Sequence, residues 1–172
     1  MPFDTEAPEV DETAHAGEMP VQTARRLALL KASTVGLRHP DAIVIGSDQI
    51  AEMDGLALGK PGTHDGALRQ LLAMQGRSVV FHTALAVLRR ADGRVSTDCV
   101  DTWVRFRSLP SETLEAYLRL DQPYDCAGSA KIESLGICLV ESVRSDDPTA
   151  LIGLPLISLT TMLVGYGVAL PR

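Results

Sequence analysis

Residues 42–49 read Ala-Ile-Val-Ile-Gly-Ser-Asp-Gln, and this stretch decides how the rest of the chain is interpreted. Its apolar half, residues 42–46, is typical of a short buried strand. Three polar residues follow, and ligands of open α/β sheets gather outside the carboxyl ends of strands. Asp48 is therefore a candidate to bind a divalent metal or to take a proton from water. The alternative is that Ser47-Asp48 is ordinary turn chemistry.

Upstream of this stretch, the spacing of apolar residues predicts a helix over 20–38. Lys31 falls on the apolar stripe of that helix, beside Leu27 and Ala28. A lysine in this position either extends its ammonium group to solvent or directs it at an anionic group inside the fold.

Downstream, the pattern predicts alternating strands and helices. Asp54-Gly55 favours a tight hairpin between residues 50–53 and 56–58. Helices are expected at 64–75 and 111–120, and strands at 79–88, 95–106, 126–131 and 137–142. The sequence shows no repeat or linker, so we expect one domain over residues 1–172, with a twisted mixed β-sheet flanked by helices, α/β in the broad sense.

Charge and composition exclude several classes of protein. The 172 residues carry a net charge of −6, which disfavours binding along a nucleic-acid backbone. Three scattered cysteines without a C-x-x-C pair favour a reducing cytoplasm. Residues 150–170 are uncharged, but Gly153 and Pro155 interrupt them, so we expect a turn and a short buried helix rather than a membrane span.

Further candidate residues lie outside the opening stretch. Lys60, between Gly59 and Pro61, carries a compact charge suited to phosphate, or is a plain exposed loop lysine. Glu12 belongs to an acidic opening segment, residues 1–20, which either supplies metal ligands or is solvated. Glu133 follows a run of small residues, 126–130, that would let a flat ligand approach the backbone.

Taken together, these residues resemble the Maf-like nucleoside triphosphate pyrophosphatases. The resemblance rests on seven blocks in the family's order and spacing, and it covers nearly the whole chain. The blocks are Val10-Asp11-Glu12, Arg26-Leu27-Ala28 with Lys31-Ala32, Ile45-Gly46-Ser47-Asp48-Gln49, Leu58-Gly59-Lys60-Pro61, Phe106-Arg107, Cys126-Ala127-Gly128-Ser129 and Gly153-Leu154-Pro155-Leu156. Ser-Asp-Gln, and Cys-Ala-Gly-Ser followed by Lys131 and Glu133, resemble the branch acting on 7-methyl-GTP.

The resemblance implies an enzyme that cleaves a nucleotide between its α- and β-phosphates with Mg²⁺ or Mn²⁺. Asp48 matches the proton acceptor and a metal ligand, and Glu12 would help to hold the metal. Lys31 and Lys60 would neutralise the triphosphate.

The resemblance also implies how the base is recognised and what the protein binds. Gln49 would contact the base or sugar edge, and Glu133 would favour the positively charged methylated base. The expected partners are a small nucleotide and a second copy in a homodimer, without nucleic acid or membrane.

One part of the family pattern is missing from this chain. The family opens with a strand and a Ser/Thr-x-Ser-x-x-Arg-Arg loop that grips the triphosphate, and Met1-Pro2-Phe3 align just after it. Either the natural start lies further upstream, or the chain is shortened and its phosphate site incomplete. The second case allows a different function, a catalytically weak nucleotide-binding regulator of septum formation and cell division.

Overall fold

The computed structural model describes residues 2–169. Four helices and one five-stranded sheet make up its regular structure. In chain order they are α1 (Pro20–Arg38), β1 (Val44–Met53), β2 (Leu56–Leu58), α2 (His64–Met74), β3 (Ser78–Arg89), β4 (Arg94–Phe106), α3 (Ser111–Asp121), β5 (Val140–Ser145) and α4 (Leu156–Gly165). Short 3₁₀ turns occur at Arg90–Asp92, Ala127–Ser129, Leu135–Leu139 and Ala150–Ile152.

The strand order is β2-β1-β3-β4-β5, and β3 is the central strand. It pairs with β1 from Val44↔Leu88 to Glu52↔Val80, and with β4 along its whole length. The sheet with flanking helices is confirmed. Within residues 2–169 all four strand pairings are antiparallel, so the parallel pairing implied by a mixed sheet does not occur there.

Helices cover both faces of β3, because successive side chains of a strand point to opposite faces. Ala84 and Ala86 pack against α1, whereas Leu85 and Val87 pack against α4. Near the start of β3, Phe81 joins the largest cluster, which α2 and α3 cover. Burial on two faces accounts for the long apolar run of this strand.

The interface between α1 and β1 is unusually close. Gly46 leaves so little space that an added Cβ would lie 2.4 Å from the Ala28 carbonyl oxygen and 2.7 Å from the Ala32 nitrogen. The small side chains of α1 at this contact permit the approach. The strand that carries Asp48 is thereby held directly beneath the helix that carries Lys31.

The sequence-based elements need three corrections. The strands predicted over 42–46 and 50–53 are parts of one continuous strand, β1 (Val44–Met53), so Asp48 lies inside a strand and not beyond its end. Residues 126–131, expected as a strand, contain a 3₁₀ turn in which Gly128 and Ser129 have φ of 71° and 55°. The strand predicted over 137–142 begins only at Val140.

The remaining predicted elements are confirmed, with shifts of a residue or so at their ends. Asp54 and Gly55 have φ of 54° and 80°, as a primed hairpin turn requires. The predicted turn at Gly153 and the helix after it are also present, but the helix is buried on one side only. Leu159 and Leu163 are buried, whereas Leu156, Ile157 and Val164 are exposed. None of the helices described over residues 2–169 combines the length and apolar character needed to cross a membrane.

Candidate active site

The site is centred on Lys31, whose ammonium group lies between two carboxylates. Its Nζ is 2.6 Å from Oδ1 of Asp48 and 2.7 Å from Oε1 of Glu12. Lys60 approaches from the other side, with its Nζ 3.9 Å from Oε2 of Glu12. Four of the six residues predicted from the sequence are therefore brought together, although they come from separate segments of the chain.

Exposure differs strongly among these four residues. The Asp48 side chain is 9% exposed and Lys31 is 21% exposed, whereas Glu12 and Lys60 are 47% and 66% exposed. The Asp48 end of the cluster is therefore buried, and the Lys60 end is exposed to solvent. A ligand that enters from solvent would meet Lys60 and Glu12 first.

Asp48 has one oxygen without a partner among the residues that the structure describes. Its Oδ1 accepts from Lys31, but its Oδ2 is buried and has no hydrogen bond there. A buried polar atom left unpaired destabilises a fold, so such an atom calls for an explanation. An oxygen in this state is available to a water proton or to a cation.

The pKa values follow from burial and pairing. Burial raises the pKa of Asp48, and this outweighs the opposing effect of Lys31. Burial alone would lower the pKa of Lys31, but the hydrogen bonds and charges of Asp48 and Glu12 outweigh it and raise that pKa. The hydrogen bond from Lys31 lowers the pKa of Glu12. A raised pKa suits Asp48 to accept a proton, whereas the lowered pKa of Glu12 favours its ionised form.

The acidic opening segment lies along α1 and is fastened to it. Glu6 pairs with Arg38 and, at 2.8 Å, with His39, while Glu18 pairs with Arg26 at 2.7 Å. Because these contacts are with α1, which carries Lys31, and with the residue that ends it, the segment delivers Glu12 to the site. Glu6, Glu12 and Glu18 are thus paired with basic side chains, although Glu6 and Glu12 remain 36% and 47% exposed.

Gln49 lies on the opposite face of β1 from Asp48. Its Nε2 lies 2.8 Å from the Thr83 hydroxyl and 3.0 and 3.2 Å from the carbonyl oxygens of Ala150 and Leu151. Ser47 likewise contacts the Gly153 carbonyl at 2.7 Å. These two neighbours of Asp48 bind β1 to the segment before α4, so in this structure Gln49 has a fold-supporting role.

Glu133 is exposed and lies outside the lysine–carboxylate cluster. It occupies a tight turn closed by the Gly136 N–H, which donates to the Lys131 carbonyl at 2.9 Å. An added Cβ at Gly136 would lie 2.5 Å from that carbonyl oxygen. The turn therefore presents Glu133 to solvent, and its contact with a base stays a prediction.

The donor set can be compared with what a divalent cation requires. Among residues 2–169 there is no group of three or more His, Cys, Asp or Glu side chains placed to hold a metal. Asp48 and Glu12 offer two carboxylates, and Oδ2 of Asp48 is a suitable oxygen ligand. Mg²⁺ is commonly held by one or two carboxylates together with substrate phosphates, so these residues fit a metal that arrives with a nucleotide.

The sequence reasoning missed one polar link next to Lys60. Gln70 on α2 donates from Nε2 to the Gly59 carbonyl at 2.8 Å and accepts at Oε1 from the Ser129 hydroxyl at 2.5 Å. Nothing in the sequence distinguishes Gln70 from any other polar residue on a helix.

Comparison with known proteins shows the family to which the chain belongs. A family model described as Maf-like protein matches residues 1–166. The chain belongs to this family.

The relatives include a protein of Aromatoleum aromaticum, 52% identical over 99% of this chain and 88% of its own length. A Burkholderia lata protein is 55% identical over 95% of this chain and 79% of its own length. A Cupriavidus metallidurans protein is 55% identical over 96% of this chain and 84% of its own length. All three are named 7-methyl-GTP pyrophosphatase.

Proposed function

We propose that this protein hydrolyses 7-methyl-GTP to 7-methyl-GMP and pyrophosphate. The observation that carries the proposal is the buried, unpartnered oxygen of Asp48 beside Lys31, in a cluster that Lys60 joins through Glu12, within the part of the chain that the structure describes. Water adds across the bond between the α- and β-phosphates, that bond breaks, and pyrophosphate leaves. The names of relatives more than 50% identical to this chain support the choice of substrate.

Asp48 takes the role of proton acceptor. Its raised pKa makes it a stronger base than an exposed aspartate, and its Oδ2 is the atom that would receive the proton from water. Because Lys31 holds Oδ1, the carboxylate is fixed in orientation while Oδ2 remains available. A positioned base of this kind contributes about 10²- to 10⁴-fold to a rate.

The two lysines provide the positive charge that a triphosphate requires. Without ligand, Lys31 is fully engaged by Asp48 and Glu12, whereas Lys60 makes a long contact with Glu12. Lys60 is therefore the first to bind phosphate, from an exposed position. Phosphate chemistry depends mainly on positioning and charge neutralisation, and this arrangement supplies both.

We further propose that Asp48 and Glu12 hold a divalent cation, Mg²⁺ or Mn²⁺, together with the phosphates. When bound, such a cation neutralises charge that develops on the phosphate oxygens. A carboxylate oxygen has two lone pairs, so Oδ2 of Asp48 would contact the cation through one and the attacking water through the other. Glu12 would exchange part of its contact with Lys31. The released lysine charge would then be available to the nucleotide.

Glu133 is proposed to select the methylated base. N7-methylation leaves guanine with a positive charge, which an exposed carboxylate attracts, and carboxylate oxygens accept from the guanine N–H groups. The free cysteines Cys99, Cys126 and Cys138 support action in a reducing cytoplasm. A homodimer stays an expectation from the family resemblance.

The test is pyrophosphate release from 7-methyl-GTP, GTP, UTP and dTTP with Mg²⁺ or Mn²⁺. We expect a preference for 7-methyl-GTP and, in Asp48→Asn, a loss of at least about 100-fold in kcat. Asp101→Asn is the matched control, because Asp101 lies in the same sheet and pairs with His82 instead of a lysine. Its kcat should stay near that of the natural protein.

Two outcomes would overturn the proposal. Equal activity of Asp48→Asn and the natural protein would remove Asp48 from the chemistry. Nucleotide binding without pyrophosphate release from any substrate would instead favour the regulatory alternative.

A further inference from the structure

Lys60 lacks a close side-chain contact among the described residues, although its role requires accurate placement. Its side chain is 66% exposed, and its charged neighbour Glu12 is 3.9 Å away. A long exposed lysine samples many rotamers, so its average position depends on how its backbone is held. The contacts of the loop around Lys60 therefore determine where its charge can reach.

The peptide bond before Lys60 is held by Gln70. The Gly59 carbonyl oxygen, which accepts from Nε2 of Gln70 at 2.8 Å, belongs to the same planar unit as the Lys60 nitrogen. Fixing that oxygen orients the plane, which also contains the nitrogen and Cα of Lys60, and so restricts where the Lys60 side chain begins. At the other end of the loop, the Gly62 N–H donates to the Tyr124 carbonyl at 2.9 Å.

Gln70 is itself fixed by a strained, buried residue. Its Oε1 accepts from the hydroxyl of Ser129, which is fully buried and has a left-handed φ of 55°. A non-glycine residue in this region costs about 1–3 kcal/mol and persists only where its surroundings impose it. Ser129 also donates its N–H to the Cys126 carbonyl at 3.2 Å, so the position of its hydroxyl is well determined.

We propose that Gln70 is a positioning residue for Lys60, and that through Gln70 the buried turn at Ser129 sets the place where Lys60 meets the phosphates. This inference rests on the proposed function. It makes the 126–129 segment, just before the turn that bears Glu133, part of the same support as the phosphate-binding lysine.

The isosteric variant Gln70→Glu tests the link most directly, because it keeps an acceptor for Ser129 and replaces the donor to Gly59 with a carboxylate oxygen. Ser129→Ala removes only the hydrogen bond from the Ser129 hydroxyl to Oε1 of Gln70. We expect kcat/KM for 7-methyl-GTP to fall about 10- to 100-fold in Gln70→Glu, and by less in Ser129→Ala. In a Lys60→Ala background, Gln70→Glu should change kcat/KM by less than about twofold, because its effect acts through Lys60.

A double-mutant cycle separates positioning from stability. Gln75→Ala is the matched control, since Gln75 follows the same helix and its Oε1 accepts from the Leu109 N–H at 2.6 Å, away from Lys60. This variant should lose stability while its kcat/KM is unchanged below its melting temperature. A Gln70→Glu effect of equal size with and without Lys60 would overturn the proposal.

A binding measurement keeps the test independent of turnover. Calorimetric titration with inorganic tripolyphosphate should show weaker binding in Gln70→Glu than in the natural protein, and no difference between the two in the Lys60→Ala background. If the natural protein binds tripolyphosphate but does not hydrolyse 7-methyl-GTP, the proposed function fails and this titration alone decides the role of Gln70. Equal tripolyphosphate affinity of Gln70→Glu and the natural protein, or no binding by the natural protein, would refute the positioning role.

Discussion

Replacing Lys31 with methionine would leave the Asp48 carboxylate buried without its counter-ion. The side chain keeps a similar length, so the main change is electrostatic. Removing one partner of a buried ion pair costs about 3–5 kcal/mol when the remaining charge stays uncompensated. Because Lys31 is 21% exposed and water can partly replace it, we expect a loss of about 2–3 kcal/mol in the free energy of unfolding at pH 7.

The sign of the pH dependence follows from both carboxylates. Asp48 already has a pKa above 3.8, and losing Lys31 raises that pKa further, so the folded variant loses stability as the pH rises and this buried carboxyl group ionises. Glu12 has a lowered pKa whose stabilising effect is present above about 4.5 and is lost as the pH falls. In Lys31→Met this stabilisation disappears. Because of both effects, the difference in the free energy of unfolding between the variant and the natural protein increases toward neutral pH.

Urea unfolding from about pH 4 to about pH 8 measures this difference in unfolding free energy between Lys31→Met and the natural protein. It should be small at the acidic end and reach its full value near neutrality. Lys60→Met is the matched control, because Lys60 is 66% exposed and 3.9 Å from Glu12, so its loss should change the free energy by at most about 0.5 kcal/mol. A gap independent of pH, or as small as that of Lys60→Met, would refute the buried-pair reasoning.

Three further predictions concern the surroundings of the site. Gly46→Ala should cost about 3 kcal/mol in urea unfolding, because its Cβ would lie 2.4 Å from the Ala28 carbonyl oxygen, while Gly165→Ala, with open space around it, should cost little. Asp147→Ala should also cost about 3 kcal/mol, since this buried carboxylate accepts two hydrogen bonds from Thr149 and one from the Ile157 N–H at the start of α4; unchanged unfolding would contradict that role. Glu133→Gln should reduce the ratio of kcat/KM for 7-methyl-GTP over GTP by about tenfold, the effect of a charge-assisted hydrogen bond; an unchanged ratio would exclude Glu133 from base selection.

The regular elements were largely predictable because their signals are local. The length of α1, the primed turn at Asp54-Gly55 and the long apolar run of β3 all reflect periodicity or turn chemistry within a few residues. The break placed at Ser47-Asp48-Gln49 was wrong because those polar residues suggest a loop. In the structure they pair with β3, and the side chains of Ser47 and Gln49 bond to carbonyl groups more than 100 residues away. Hydrogen-bond partners this distant in sequence cannot be predicted from the local pattern.

The turn at Ala127–Ser129 shows a different limit of sequence reasoning. Small residues suit a strand as well as a turn, and Ser129 has no intrinsic preference for a left-handed φ. The conformation is set by packing and by bonds to distant groups. Gly128 packs against the Phe81 ring of β3, where an added Cβ would be in ordinary contact at 3.5 Å, and the Ser129 hydroxyl is held by Gln70 of α2. Tertiary contacts overrode local propensity here.

The position of Lys31 depends both on the local sequence pattern and on a tertiary contact. Periodicity placed this lysine on an apolar stripe, which left open whether its charge reached solvent or an interior anion. The structure resolves the question through Gly46, whose missing side chain lets α1 approach β1 so closely that Nζ of Lys31 lies 2.6 Å from Asp48. A larger residue at position 46 would push the helix outward and lengthen that contact. The chemistry of the site therefore depends on a glycine that has no side chain to offer substrate or charge, and the Gly46→Ala variant should lose activity in addition to stability.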